Sequence, residues 1–303
     1  MKRDYNVILG YQLSPVTMIL AAIKYKKKNN VPLYLYCCDL WPESMKSVIK
    51  NEDSLLFKVM KRISCYVYKN SDSIGVTSRI FTKYLHDVHN VDEKIIQYMP
   101  QHAEDTYLEA DFSAEDNGVI DFLFAGNVGI AQDMDCIIDA CEINRNISGY
   151  KVHIVGDGSY LQKSKQMVSK KQLDNIFIFH GRHPVEKMPY FYRIADACLL
   201  TLRADNFTGF TMPAKLQGYM AVGKPVIGAI SGEAQDVINE SKCGVCVNAS
   251  DSKALSEAMK DFVINFDRYK DCGKSGKEYF KQNFTKGIVM NELEKTLTRL
   301  VEG

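Results

Sequence analysis

A chain of 303 residues, 46% hydrophobic and 25% charged, has the composition of a folded protein of about two domains, which excludes a disordered tail, a collagen-like chain or a coiled coil. The 38 basic residues nearly balance 37 acidic ones, so no global field draws the chain to nucleic acid. A mean hydropathy of −0.20 and the lack of any uncharged apolar run of about 18 residues exclude a membrane-spanning helix, and MKRDYNVILGYQ has no signal-peptide core; a cytoplasmic protein is expected.

Short apolar runs predict ten strands, at residues 6–10, 33–37, 73–76, 95–98, 120–125, 151–155, 176–179, 197–201, 225–228 and 244–247. Most lack polar alternation, as expected of strands covered on both faces. Helical patterns lie between them. Ser14-Pro15 reads as a cap followed by proline at the first helical position, with Val16, Ile19, Leu20 and Ile23 on one face. Residues 132–146 repeat Met134, Ile137, Ile138 and Cys141 at helical spacing. Such alternation predicts an α/β protein with doubly wound parallel sheets. Acidic and small residues at 104–118 separate two βα series, the first of four strands and the second of six. Residues 262–303 read as wholly helical, with a last helix starting at Phe284-Thr285.

Residues 1–70 hold 12 Lys or Arg against five Asp or Glu. Lys24, Lys26, Lys27 and Lys28 close the first helix, where cations suit the negative end of the dipole. They read either as a solvated helix end or as a patch that rests on anionic lipid. The nine cysteines are odd in number and sit mostly in apolar runs, so they read as reduced and structural. Cys243 and Cys246 have C-x-x-C spacing but no second pair to complete a metal site.

The most informative local pattern is Phe122-Leu-Phe-Ala-Gly-Asn-Val-Gly-Ile-Ala-Gln132, a strand, a turn with Gly126 and Gly129, and a helix. Val155-Gly-Asp-Gly-Ser159 repeats the arrangement with Gly156 and Gly158. Glycine turns that open helices let backbone N–H groups approach a phosphate. Two at neighbouring strand ends point to one crevice. Lys215 begins the helix after Met212-Pro213, where a cation opposes the dipole and calls for an anion to meet. Asp133-Met-Asp135 has metal-binding spacing, but acids in a first helical turn are favoured for dipole reasons alone; no metal is expected.

Together these stretches resemble the retaining glycosyltransferases of family 4, of GT-B fold, and within them the capsular and exopolysaccharide branch. The resemblance runs through Tyr11-Gln-Leu-Ser-Pro15, Asp39-Leu-Trp-Pro-Glu-Ser44, Met99-Pro-Gln-His-Ala-Glu-Asp105, the Gly126 turn, Met212-Pro-Ala-Lys215 and Tyr219-Met-Ala-Val-Gly-Lys-Pro-Val226. It implies two Rossmann-like doubly wound domains: a partial amino-terminal domain at 1–112, a nucleotide-sugar domain at 113–284 and a terminal helix at 285–303 that crosses back. It implies transfer from a nucleotide-diphosphate sugar, a UDP-sugar, to a lipid-linked or polysaccharide acceptor, with no other cofactor and no metal. Gly126, Asn127, Gly129, Gln132, Gly156, Gly158, Gly181, Arg182, Phe210, Thr211, Met212, Lys215 and Gly218 match donor-binding positions. Asp39 and Glu43 match the acceptor side, where either would orient a hydroxyl or act as base. His102 reads as structural.

Two departures from the family pattern stand out. Asn127 and Gln132 occupy the loop where relatives place cations, so phosphate contact would rest on backbone N–H groups. Phe210 and Gly218 occupy the places of two glutamates. Relatives also begin earlier, which leaves the strand at 6–10 as an apolar edge. Such an edge invites a second copy or an upstream half-protein to pair with it, and leaves the activity of the isolated chain in question. A non-catalytic donor-binding subunit is the alternative reading. An oxidoreductase is disfavoured because 124–131 lacks G-x-G-x-x-G.

Overall fold

The computed structural model describes residues 5–47, 49, 51–103, 107–113, 117–204 and 212–303. They form two compact units that divide at Gln101 and His102. The first unit is built on four parallel strands, β1 (Ile8–Gln12), β2 (Leu33–Cys37), β3 (Ser73–Val76) and β4 (Ile96–Tyr98), in the order β1-β2-β3-β4. Helices α1 (Leu20–Asn29), α2 (Leu55–Lys69) and α3 (Arg79–His89) connect them. Leu33, Leu35, Ile74 and Val76 are fully buried in one core with Ile23, Val67, Phe81 and Leu85. Asp72 fixes the β2 entry by accepting from the Leu33 N–H at 2.7 Å and pairing with Lys26 at 2.5 Å.

The first strand runs two residues later than the expected 6–10. Parallel pairing sets its register, with Ile8 opposite Leu33 and Gln12 opposite Cys37. Among the described residues it is an edge, and one of its faces is bare: Leu9 is 47% and Tyr11 49% exposed, while Gly10 and Gln12 are buried. The buried Gln12 amide donates to Asp39 O at 2.8 Å, tying the strand end to the loop beyond β2. Ser14 does not cap a helix as expected. Its hydroxyl donates to Asp39 Oδ2 at 2.7 Å and accepts from Trp41 Nε1 at 3.1 Å, and Val16–Ile19 forms a 3-10 turn before α1. The fourth strand is one residue shorter than the expected 95–98, because Asp92 caps a 3-10 turn at Glu93–Ile95.

The second unit carries six parallel strands: β5 (Ile120–Ala125), β6 (Tyr150–Val155), β7 (Phe177–Gly181), β8 (Ala197–Thr201), β9 (Val226–Ala229) and β10 (Gly244–Val247). Their order, β10-β9-β8-β5-β6-β7, is that of a doubly wound dinucleotide-type sheet, with the chain reversing direction across the sheet between β5 and β8. The helices are α4 (Met134–Ile143), α5 (Leu161–Lys170), α6 (Met188–Ile194), α7 (Ala214–Ala221), α8 (Glu233–Ser241), α9 (Ser252–Ile264) and α10 (Lys270–Asn283). The predicted helix at 132–146 is shorter because Asp133 takes a left-handed conformation, φ 50°, between a 3-10 turn and α4. Phe122, Phe124, Ile137, Ile154, Leu199 and Phe262 lie in one buried core.

A last helix, α11 (Lys286–Glu302), groups with the first unit, where Thr296 donates to Gln97 Oε1 at 2.8 Å. Among the described residues no helix is long and apolar enough to cross a membrane. All nine cysteines are free. Burial pushes the Cys243 thiol up to about 11 and the Cys246 thiol to about 12, which keeps both protonated at neutral pH.

Candidate functional site

The carboxyl ends of β5, β6 and β7 meet at an open cavity of about 710 Å³. Its walls are Gly126, Asn127, Val155, Gly156, Asp157, Gly158, Arg182, His183 and Met188. The two glycine turns touch through their backbones. A Cβ on Gly156, whose φ is +144°, would run into the Gly126 carbonyl, and one on Gly158 into that of Val128. Glycine is therefore required for the approach rather than merely tolerated. The Asn127 and Asp157 N–H groups, both on the cavity wall, have no hydrogen-bond partner among the described residues.

Lys215, the second residue of α7, reaches this turn. Its ammonium lies 3.9 Å from the Phe124 ring centroid and 3.3 Å from Asn127 O. A Cβ on Gly126 would stand 2.6 Å from Lys215 Cε, so the bare glycine makes room for the lysine. Lys215 has no carboxylate partner among the described residues. Burial lowers its pKa from the usual 10.5 to about 7. A half-buried cation beside unpaired backbone donors has the chemistry to hold an anion. The helix is held to the strand by Tyr219, whose hydroxyl accepts from the Ala125 N–H at 3.0 Å and donates to its carbonyl at 3.3 Å.

Of the expected donor residues, Gly126, Asn127, Gly156, Gly158 and Arg182 line the cavity, and Gly181, φ +75°, turns the chain just before Arg182. Gly129 and Gln132 serve the loop instead: Gln132 Oε1 accepts from the Gly129 N–H at 3.0 Å and from Asn127 Nδ2 at 3.1 Å. Gly218 lies inside α7, where an added Cβ would meet only the Tyr192 hydroxyl at 3.9 Å. Met212 is half-buried just ahead of that helix. Phe210 and Thr211 fall outside the described residues. Asp157, His183 and Met188 were not singled out in the sequence; the x of G-x-G and the residue after Arg182 are the signals that would have found the first two.

In the first unit, Glu43 is buried and committed, accepting from the Tyr84 hydroxyl at 2.6 Å and pairing with Lys46. Asp39 is half-exposed and accepts from Ser14. His102 stands at the unit boundary with its ring against the Ala103 carbonyl at 3.2 Å. The Asp133 and Asp135 carboxylates are taken by Ser250 and by Tyr160 and Arg203. No group of three His, Cys, Asp or Glu that could hold a metal occurs among the described residues. A larger cavity of about 1070 Å³ opens at the amino ends of β5, β8 and β9, but its four lysines are matched by four carboxylates.

The sequence pattern of the glycosyl transferases group 1 family matches residues 108–279, more than half of the chain. Over 218 residues the chain is 27% identical to an uncharacterised glycosyltransferase of Methanocaldococcus jannaschii, covering 72% of this chain and 57% of that protein. Over 158 residues it is 26% identical to the GDP-mannose-dependent alpha-(1-6)-phosphatidylinositol monomannoside mannosyltransferase of Mycolicibacterium smegmatis, covering 50% and 41%. It thus spans about half the length of these relatives. The crystal structure of Anabaena HepE with UDP and glucose superposes with a TM-score of 0.78 at 12% identity, over 97% of this chain and 78% of that one, a likeness of fold. With two parallel-sheet α/β units, paired glycine turns and a lysine that faces them, the chain belongs to the glycosyl transferases group 1 family.

Proposed function

We propose that the chain binds a nucleotide-diphosphate sugar, a UDP-sugar, in the Gly126–Gly158 crevice and transfers the sugar to a lipid-linked or polysaccharide acceptor of a surface glycan. The observation that carries this reading is Lys215, desolvated and without a carboxylate, over a turn whose Asn127 N–H is open. Backbone donors and Lys215 stabilise the departing diphosphate, as a preorganised anion site does. The sugar C1–O bond to the diphosphate breaks, the bond to the acceptor oxygen forms on the same face, and the acceptor proton passes to the departing phosphate oxygen. Neither a metal nor a protein nucleophile is needed. Asp39 orients the acceptor hydroxyl; Glu43, already engaged by Tyr84 and Lys46, supports that loop.

Titration with UDP, GDP and NAD, followed by transfer assays with UDP-glucose and GDP-mannose, tests the reading. Tight binding of a nucleoside diphosphate, none of NAD, and transfer with retained configuration that survives a chelator are expected. Phe210 and Gly218 favour a second reading, a donor-binding subunit without transferase activity, because neither side chain can accept a hydrogen bond from a sugar or ribose. Diphosphate binding without transfer would select it.

The outer edge of β1, with Leu9 and Tyr11 bare, is where a second copy or another polypeptide adds a strand. Sedimentation of the wild type should show association that rises with concentration and that Leu9→Lys with Tyr11→Lys reduces. Identical profiles for the two proteins would rule the edge out.

A further inference from the structure

The outward face of α2 is both apolar and basic. Its inner side, with Phe57, Met60, Val67 and Tyr68, is buried in the first unit's core. Yet Leu55 is 79%, Leu56 52% and Tyr66 44% exposed, and Val59 is exposed with them. Leu55 and Val59 lie one turn apart and Tyr66 two turns further on the same face, with the exposed Arg62 on the turn between them. Alongside it run Lys58, Lys61, Arg62 and Lys69, all exposed. Lys58 faces Asp53 at 3.3 Å, while Lys61 and Arg62 have no carboxylate partner among the described residues. The end of α1 extends the same face, since the Lys27 ammonium lies 4.9 Å from the Tyr66 ring centroid and 3.1 Å from its hydroxyl. Neither helix contains a single Asp or Glu.

We infer that the α1–α2 face is a docking surface for an anionic lipid bilayer, with Leu55, Leu56 and Val59 seated among the acyl chains and the flanking cations at the headgroups. Exposed apolar residues beside a cationic surplus, interrupted by Glu52 and Asp53 at the helix start, fit a membrane interface, where each half of the surface finds its own partner. A soluble acidic partner would use the lysines but leave the leucines in water. The inference extends the lipid-linked acceptor reading but stands on a separate surface. Its test uses neither donor nor acceptor, so failure here leaves the transfer reading intact.

The full chain is to be floated with vesicles of phosphatidylcholine alone and with added phosphatidylglycerol. Binding that requires phosphatidylglycerol and falls with salt is expected. Lys58→Gln with Lys61→Gln and Arg62→Gln should weaken it on the order of 100-fold. Leu55→Ser with Leu56→Ser and Val59→Ser should release the protein as well. All six positions are exposed, and circular dichroism checks that each variant is folded. A Leu56→Trp variant should be quenched by brominated acyl chains. No binding by the folded protein, binding untouched by either triple variant, or an unquenched Trp at position 56 in vesicle-bound protein would each overturn the inference.

Discussion

Lys215→Met is expected to weaken nucleoside diphosphate binding about 10- to 100-fold, the loss of one charge-assisted contact, and to lower transfer by a further factor toward 100- to 1000-fold overall. Lys215→Arg should recover part of the loss, because it keeps the charge but must fit a larger head over Gly126. The pH dependence follows from burial. The empty site holds the Lys215 pKa at about 7, and a bound diphosphate raises it again. Binding therefore takes up a proton just above pH 7. Affinity should be flat below that pH and fall as the pH rises past it, until the bound-state pKa is reached. Calorimetry in buffers of different ionisation enthalpy reads the proton directly; no uptake at pH 7.5 to 8 would remove Lys215 from the anion site. The empty protein has the opposite tendency. Its folded pKa lies below the usual 10.5, so between about 7 and 10.5 the unfolded chain binds more protons, and Lys215 adds stability as pH rises through that window.

Gly156→Ala should be among the most disruptive single-methyl changes in the second unit. The new Cβ would overlap the Gly126 carbonyl, and φ +144° is open in practice only to glycine. Backbone faces backbone at this contact, so no flexible side chain can yield. A loss of about 3 kcal/mol or more is expected, which for a unit of this size lowers Tm by about 6–12 °C. Nucleoside diphosphate binding should vanish with it, because the two turns can separate only by widening the crevice. Gly149→Ala is the control: its φ is +84° but an added Cβ meets nothing, so it should cost only about 1 kcal/mol and leave binding intact. Equal effects from the two substitutions would mean that the turns are not in contact.

The parallel sheets were legible because both units bury nearly continuous apolar strands, and the glycine turns were legible because they sit where such strands end. Boundaries were less so. The β1 register depends on a partner 25 residues away, and Ser14 was spent on Asp39 and Trp41 instead of a helix cap. The site divided in the same way. Gly126, Gly156 and Gly158 announce a backbone task that their residue type alone can meet. Gln132 was placed at the donor only by the family resemblance; what the sequence could not show is that its side-chain carbonyl accepts from the Gly129 N–H and the Asn127 side-chain amide. The partners of Glu43 were likewise beyond the sequence: only the folded chain brings Tyr84 to it from 41 residues away. Asp157 and His183 carry no pattern of their own and are assigned by position.

The Tyr219 hydroxyl, bonded to both the N–H and the carbonyl of Ala125, ties the lysine-bearing helix to the strand before the first glycine turn. Under the proposed function, a pyrophosphate would meet a cradle already assembled and lose little entropy in ordering it. A grip so indifferent to what hangs from the second phosphate would hold many activated sugars alike, leaving the choice among them to groups beyond the cradle.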